Sequence, residues 1–212
     1  MRLEAQVRRI QRVSGVDSPS LGEFGETLIT QLLPKYAALN KAGKLFGVDT
    51  SGGTAQAPNT AIPTTTAEWT LYNNSQNELL IPLIVSCGMV SGTSGLGLAI
   101  IMAAAVGKQT AVTVSYTGTI FSAMDGSNRS PLAYLGNATT LVGGTPAWVI
   151  VANSKMNPVA AVSVGDGLVA LVDGLALARP GGSVAFDVIG PVGTTALFDF
   201  QCIFAMVEAD YY

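Results

Sequence analysis

The residue types that most often carry out chemistry are scarce in this chain. It contains no histidine, so the usual general base of hydrolases and the commonest metal ligand are both missing. The two cysteines, Cys87 and Cys202, cannot complete a tetrahedral zinc site by themselves. Both fall within apolar runs, which favours buried free thiols, with a single disulfide as the alternative. Reduced thiols would suit a protein that is assembled in a cytoplasm.

Acidic residues are the remaining candidates for catalysis, because a pair of carboxylates can hydrolyse a glycosidic bond. The aspartates considered for this role are Asp166, Asp173, Asp187 and Asp199. Each stands alone at the end or on the outer side of a predicted strand, where a solvated or salt-bridged carboxylate is usual. We therefore predict no catalytic residues and no enzymatic activity.

Three further motifs could bind a ligand. Residues 91–97 have the glycines of a phosphate-binding loop but lack its lysine and the helix that should follow, so they predict a β-turn. Asp125 and Asn128 could hold a cation, although their spacing fits no known calcium loop. Trp69, Trp148 and Tyr134 could stack on a sugar, but both tryptophans lie in predicted strands, which favours a core or interface position. We predict no cofactor and no metal site.

Charge is sparse and unevenly distributed. Charged residues make up 12% of the chain, and residues 1–50 hold seven basic and five acidic ones, a net charge of +2. Residues 51–212 hold four basic and nine acidic residues, a net charge of −5. So few charges give little solubility to a free monomer, which predicts that copies of the chain or other proteins cover much of its surface. Within residues 51–212 no basic patch accompanies aromatic residues, which argues against nucleic-acid binding by this body.

The apolar stretches are too short for membrane-spanning helices. Leu79–Val90 contains Pro82 and Gly88, and Leu96–Val106 is a short run, whereas a helical span needs about 18 apolar residues. The first 13 residues carry arginines without a following apolar signal core. We expect neither a membrane segment nor a signal peptide.

Residues 1–66 are predicted to form an N-terminal arm with short helices and a strap. The arm, residues 1–20, has apolar residues at helical spacing. A second helical signal in residues 21–43 is interrupted by Pro34, which predicts two short helices, the second beginning at Pro34 and ending at Gly43. Residues 51–66, rich in Gly, Thr, Ala and Pro, predict a polar strap that runs across a surface.

The predicted partner-binding residues lie in the arm and just beyond the strap. A solvated or partner-docked arm is the plainer interpretation of four clustered arginines, with a nucleic acid as the alternative ligand. The predicted residues are Arg2, Arg8, Arg9, Arg12 and Trp69.

Residues 67–212 predict a β-sandwich body of about eight to ten strands. The last strand is the clearest, because every second residue from Phe198 to Met206 is apolar. Other apolar runs between turns predict strands at Trp69–Tyr72, Leu79–Val90, Leu98–Val106, Thr110–Tyr116, Thr139–Val142, Trp148–Ala152, Gly167–Val172, Leu175–Ala178 and Ser183–Ile189. This pattern predicts an all-β fold, a jelly-roll-like antiparallel β-sandwich.

The order of these features resembles that of small structural proteins in the virions of tailed bacteriophages. The likeness rests on Leu32–Leu39, Gly43–Phe46, Thr64–Ala67, Trp69–Asn74, and Leu80–Val85 followed by the Gly-Thr-Ser-Gly turn. It covers most of the chain, and its motifs are compositional and positional. The resemblance implies a jelly-roll body, often a homotrimer, on the capsid or in the tail, and it supplies no catalytic residue.

Three functional hypotheses follow. The first is a capsid cement or decoration protein that binds itself and the major capsid protein or other virion proteins, within a virion assembled in the host bacterial cytoplasm. The second is a tail or fibre-associated adaptor that attaches to the host, with a glycan as one candidate ligand. The third and weakest is a polysaccharide-degrading enzyme that uses the aspartates. Neither of the first two requires nucleic acid or a membrane.

Overall fold

The computed structural model describes residues 34, 36–50, 55–93, 97–105, 113–129, 132–138, 146–154, 167–192 and 195–209. This part of the chain forms one short helix, α1 (Ala37–Lys41), and ten strands. The strands are β1 (Leu45–Asp49), β2 (Ala67–Asn73), β3 (Glu78–Ser91), β4 (Leu98–Ala105), β5 (Thr113–Ser122), β6 (Ala133–Ala138), β7 (Val149–Ser154), β8 (Gly167–Leu171), β9 (Ser183–Ile189) and β10 (Leu197–Glu208).

The strands form two antiparallel sheets that pack face to face. Sheet I has the order β5–β1–β10–β3–β8, and sheet II has the order β7–β4–β9–β2–β6. Strand β5 also pairs with β6, so it joins the two sheets along one side. On the opposite side, the edge strands β7 and β8 lie next to each other. The predicted all-β antiparallel sandwich is confirmed.

The final strand lies in the middle of sheet I, with β1 on one side and β3 on the other. Its alternation is the one that the sequence predicts: Phe198, Phe200, Cys202, Phe204 and Met206 are all buried. The C-terminal strand is therefore a central part of the body.

The core between the sheets is centred on aromatic contacts. Phe200 of β10 stacks on Trp69 of β2 with ring centroids 5.2 Å apart, and it contacts Phe186 of β9 at 5.1 Å. Because β10 belongs to sheet I and the other two strands to sheet II, these contacts tie the two layers together.

One strand of the structure was not predicted, and one predicted strand is wrong. Residues 133–138 form β6, which no sequence pattern predicted, while the predicted strand Thr139–Val142 lies outside the described residues. Leu175–Ala178 is not a strand: a turn at Gly174 folds it back, and only Ala178 makes an isolated bridge, to Leu80. The positive φ of Asp173 (40°) and Gly174 (79°) shapes this turn.

The chain divides into two compact units, residues 1–43 and residues 44–212. In the first unit, α1 ends before Gly43, whose φ of 66° allows the turn predicted there. The other predicted helices, and the arm, lie outside the described residues. The second unit contains β1 and the described part of the strap together with the strands of the sandwich.

The described part of the strap, residues 55–66, lies along its own body. Gln56 bridges Phe198 at the start of β10, and Asn59 bridges Ile189 at the end of β9. Farther along, the Pro63 carbonyl accepts a 2.7 Å hydrogen bond from the indole nitrogen of Trp148. The strap therefore passes from sheet I to sheet II and covers part of sheet II; contact with neighbouring subunits stays a prediction.

Candidate interaction surfaces

Exposed apolar side chains concentrate at the β7–β8 side of the sandwich. Val169 and Leu171 of β8 are each 67% exposed, because the alternation of that strand turns Leu168 and Ala170 into the core instead. The five side chains that we call the edge patch are Val149 and Ile150 of β7, Val169 and Leu171 of β8, and Leu175 in the following turn. Neither edge strand contains a charged residue.

The outer face of sheet I extends this apolar surface. Leu171 pairs with Ile84 on β3, and Ile84 in turn pairs with Ile203 on β10. The row continues to Gly47 on β1 and Phe121 on β5. A row of apolar residues thus crosses all five strands of the sheet on its outer side.

Phe121 covers the gap that Gly47 leaves in this row. A Cβ atom built on Gly47 would collide with the Phe121 ring, so the ring lies directly over the glycine. An aromatic side chain that covers a glycine on the neighbouring strand compensates for the side chain that the glycine lacks.

A shallow cleft of about 160 Å³ lies beside this row. Its apolar walls come from Phe121, Ile84 and Ile203, and its polar groups from Asp49, Ser86 and Gln201. Aromatic and aliphatic walls combined with a carboxylate, a hydroxyl and an amide could bind a small polar ligand with one apolar face.

The outer side of sheet II contains a buried acid beneath the strap. Asp187 in β9 is 0% exposed, and its two carboxylate oxygens accept hydrogen bonds from the Asn59 side-chain amide at 3.0 and 2.9 Å. The backbone N–H of Glu68 adds a longer contact of 3.4 Å. This burial corrects the prediction that Asp187 is a solvated or salt-bridged carboxylate.

Burial raises the pKa of the Asp187 carboxyl to about 6, with the hydrogen bond from Asn59 acting in the opposite direction and the nearby Glu68 carboxylate raising it further. Burial also raises the pKa of Glu68. Asp187 and Glu68 are two neighbouring acids, but we do not assign them as a catalytic pair. The strap covers Asp187, and the cleft described above lies on the other sheet.

The other acids are dispersed. Asp173 is exposed in the turn after β8, Asp199 is half-buried on β10, and Asp166 lies outside the described residues. Asp125 uses its carboxylate within its own loop, accepting hydrogen bonds from the Ser127 hydroxyl at 2.6 Å and backbone N–H at 3.0 Å. Those bonds lower the pKa of Asp125 to about 2. No group of three potential metal ligands occurs within the described ranges.

The predicted partner-binding residues separate into two groups. Arg2, Arg8, Arg9 and Arg12 lie outside the described residues, so their role stays a prediction. Trp69 is 1% exposed and stacks on Phe200, so the structure assigns it to the core and leaves it no surface for a partner. The other tryptophan, Trp148, is partly buried, and its indole N–H donates a hydrogen bond to the Pro63 carbonyl of the strap.

The two cysteines are free and buried, as the sequence favours. Burial raises the pKa of both thiols above the ordinary range, which keeps them protonated and unreactive.

Comparison with protein-family models and with curated protein sequences gives no match. In the part of the chain that the structure describes, no helix is both long enough and apolar enough to cross a membrane.

Proposed function

We propose that this protein is a non-enzymatic structural component of a bacteriophage virion, a capsid cement or decoration protein that stabilises the shell by bridging major capsid subunits. The observation that carries the proposal is the edge patch: five exposed apolar side chains on and beside two uncharged edge strands. An uncharged apolar edge on a β-sandwich promotes aggregation of a free monomer, whereas in an assembly a partner covers it.

We further propose that the sandwich is a jelly roll. Setting aside β5 and β6, sheet I reads β1–β10–β3–β8 and sheet II reads β2–β9–β4–β7. Successive strands therefore alternate between the two sheets, except β4 and β7, which are neighbours in sheet II, and the first strand lies beside the last. This order supports the two interlocked Greek keys of a jelly roll, a fold common in viral capsid proteins. Strands β5 and β6 would then be an inserted pair.

The physical role of a cement protein fits the chemistry of the surface. Apolar area removed from water at each contact stabilises a shell by about 25 cal/mol per Å², before the cost of ordering the partners. Many copies of a weak contact, repeated by symmetry, produce a large total effect. The body would supply one kind of contact by associating with itself, as a homotrimer if the resemblance holds. The basic arm would supply a second kind.

The deciding experiment is the copy number per particle, measured by quantitative mass spectrometry of purified virions against the most abundant coat protein. A count equal to that of the coat, or a simple fraction of it, supports cementing. Virions that lack the protein should then lose their genome at lower temperature than complete ones. Absence of the protein from particles, or equal heat resistance of both particles, contradicts the proposal.

The cleft on sheet I favours a second candidate, a tail or fibre-associated adaptor that binds a host glycan. Phe121 could stack on a sugar ring while Asp49, Ser86 and Gln201 engage hydroxyl groups. A count of only a few copies per particle, at one vertex, would support this candidate over the shell protein.

A further inference from the structure

The two edge strands lack the features that normally keep sheet edges from pairing. Natural edge strands carry lysines, prolines or inward-pointing charges that block another strand. Strand β7 reads Val-Ile-Val-Ala-Asn-Ser and β8 reads Gly-Leu-Val-Ala-Leu, with no charge and no proline in either. Each ends its sheet, with no second strand neighbour among the described residues.

The side chains around these edges also suit a protein partner. Val169 and Leu171 are exposed on β8, and Ile150 on β7 is 58% exposed. A charged partner surface would lose its hydration against this patch without gaining an ion pair, so the partner surface must itself be apolar and largely uncharged. One copy of this chain already presents such a surface, because both edges have the same chemistry and lie side by side.

We propose that the edge patch is a self-association surface, covered by a second copy of this chain. The patch of one copy packs against the patch of the next, and Val169 and Leu171 of β8 contribute to the contact. Two symmetrical β8 edges would give a two-fold dimer. A β7 edge against the β8 edge of the next copy would give a ring where the rotation between copies closes and an open filament where it does not. The number of copies distinguishes these two geometries.

This inference rests on the edge patch that also carries the proposed function, and it deepens that function by naming a second copy of the chain as the partner that covers the patch. The isolated protein tests it, whereas the virion proposal is tested by copy number. A monomer in solution would overturn the inference alone, and absence from particles would overturn only the virion proposal.

The test compares three forms of the full chain by analytical ultracentrifugation over a wide concentration range. The double variant Val169→Lys/Leu171→Lys places the natural edge-blocking residue on β8. The matched control is Val192→Lys, which makes the same change at a side chain that is 88% exposed in the β9–β10 connection. Circular dichroism and thermal melting confirm that each form is folded.

We expect the parent and Val192→Lys to self-associate alike, and the β8 double variant to dissociate with a dissociation constant raised about tenfold or more. A parent that stays monomeric at all concentrations overturns the inference. So does a folded β8 variant that associates as well as the parent.

If the double lysine variant fails to fold, Val169→Thr/Leu171→Thr replaces it, since threonine keeps strand propensity while removing apolar surface. Hydrogen exchange of the parent provides an independent measurement. Amides of β8 that lose protection on dilution, together with unchanged protection in central β10, support the contact. Concentration-independent exchange in β8 contradicts it.

Discussion

At the scale of single residues, Asp187 is the most unusual group in the described chain. It lies in a strand, Ser183–Ile189, whose other residues are uncharged, yet it faces the outer side of sheet II beneath the strap. A buried carboxylate is tolerated only when donors compensate for its lost hydration. The Asn59 amide supplies that compensation, and in doing so it fixes the strap to β9.

The first prediction concerns the pH dependence of stability. The pKa of Asp187 is about 6 in the folded protein against an ordinary 3.8, so the folded state binds this proton more tightly than the unfolded chain. The stabilisation is complete below about pH 4 and is lost as pH rises through about 6. A shift of this size corresponds to about 3 kcal/mol at most. Urea denaturation across this pH range measures it.

The variant Asp187→Asn should flatten that pH profile, because it removes the titrating carboxyl. The raised pKa of Glu68 acts in the same direction, so a smaller slope should persist. Asp125→Asn is the control: its pKa is lowered and its carboxyl is exposed, so it should leave the fall in stability through pH 6 intact. An unchanged profile in Asp187→Asn would contradict the assignment.

The sequence correctly predicted whether a side chain is buried where burial follows from the apolar pattern of its own strand. The alternation of apolar residues correctly indicated that both cysteines are buried and free. It did not reveal the environment of Asp187, because its main hydrogen-bond donor, Asn59, is 128 residues away. Two signals were present: a carboxylate within an otherwise uncharged strand, and an asparagine in the strap.

At the scale of elements, the pairing of β1 with β5 depends on Gly47 and Phe121. The ring of Phe121 occupies the space where a side chain at position 47 would lie. Strand β5 joins the two sheets, so this contact helps to hold the side of the sandwich opposite the edge patch.

The second prediction is a coupling between these two residues. Gly47→Val should displace the Phe121 ring and cost about 1–3 kcal/mol of unfolding free energy. In the Gly47→Val/Phe121→Ala double variant, the ring is absent, so the loss should be smaller than the sum of the single losses by about 0.5 kcal/mol or more. Chemical denaturation of all four proteins gives the cycle.

Gly88 provides a control position for that experiment, where the added side chain is only a methyl group. It also lies on the outer side of sheet I, but a Cβ atom there meets nothing within 4 Å. Gly88→Ala should therefore change stability by less than about 0.5 kcal/mol. Additive losses in the Gly47 cycle would show that Phe121 does not cover the glycine in solution.

Strands were predicted most accurately where the alternation of apolar and polar residues is strongest. Strands β9 and β10 were predicted closely because bulky residues dominate their inner faces. Strand β6, Ala-Tyr-Leu-Gly-Asn-Ala, was missed because small and polar residues mask its period. Leu175–Ala178 was predicted as a strand from its apolar composition, whereas the turn at Asp173 and Gly174 determines its conformation.

At the scale of the whole molecule, the sandwich joins distant parts of the chain. Strand β10 lies between β1 and β3, so the central strand of sheet I is the last of the described strands to be synthesised. Such long-range pairing makes folding slow and leaves incomplete chains with exposed strand edges. The sequence predicted the strand from Phe198 to Met206, but the neighbours of β10 in the sheet were not predictable from local patterns.

The last prediction separates folding from assembly with two truncations. Removing residues 197–212 deletes β10 and exposes the edges of β1 and β3, so the remaining chain should lack the cooperative unfolding transition of the parent. Removing residues 1–33 leaves the compact unit that begins at Lys44 intact, so its melting temperature should match that of the parent. Differential scanning calorimetry measures both.

The truncation of residues 1–33 also separates the two proposed contacts, the edge patch of the body and the arginines of the arm. The edge patch belongs to the body, so the protein without residues 1–33 should self-associate as the parent does. If the four arginines bind neighbouring virion proteins, the same truncation should weaken its binding to particles that lack the protein. Full binding without the arm would contradict a role for the arginines. Loss of self-association together with binding would place the contact between copies in the arm instead of in β7 and β8.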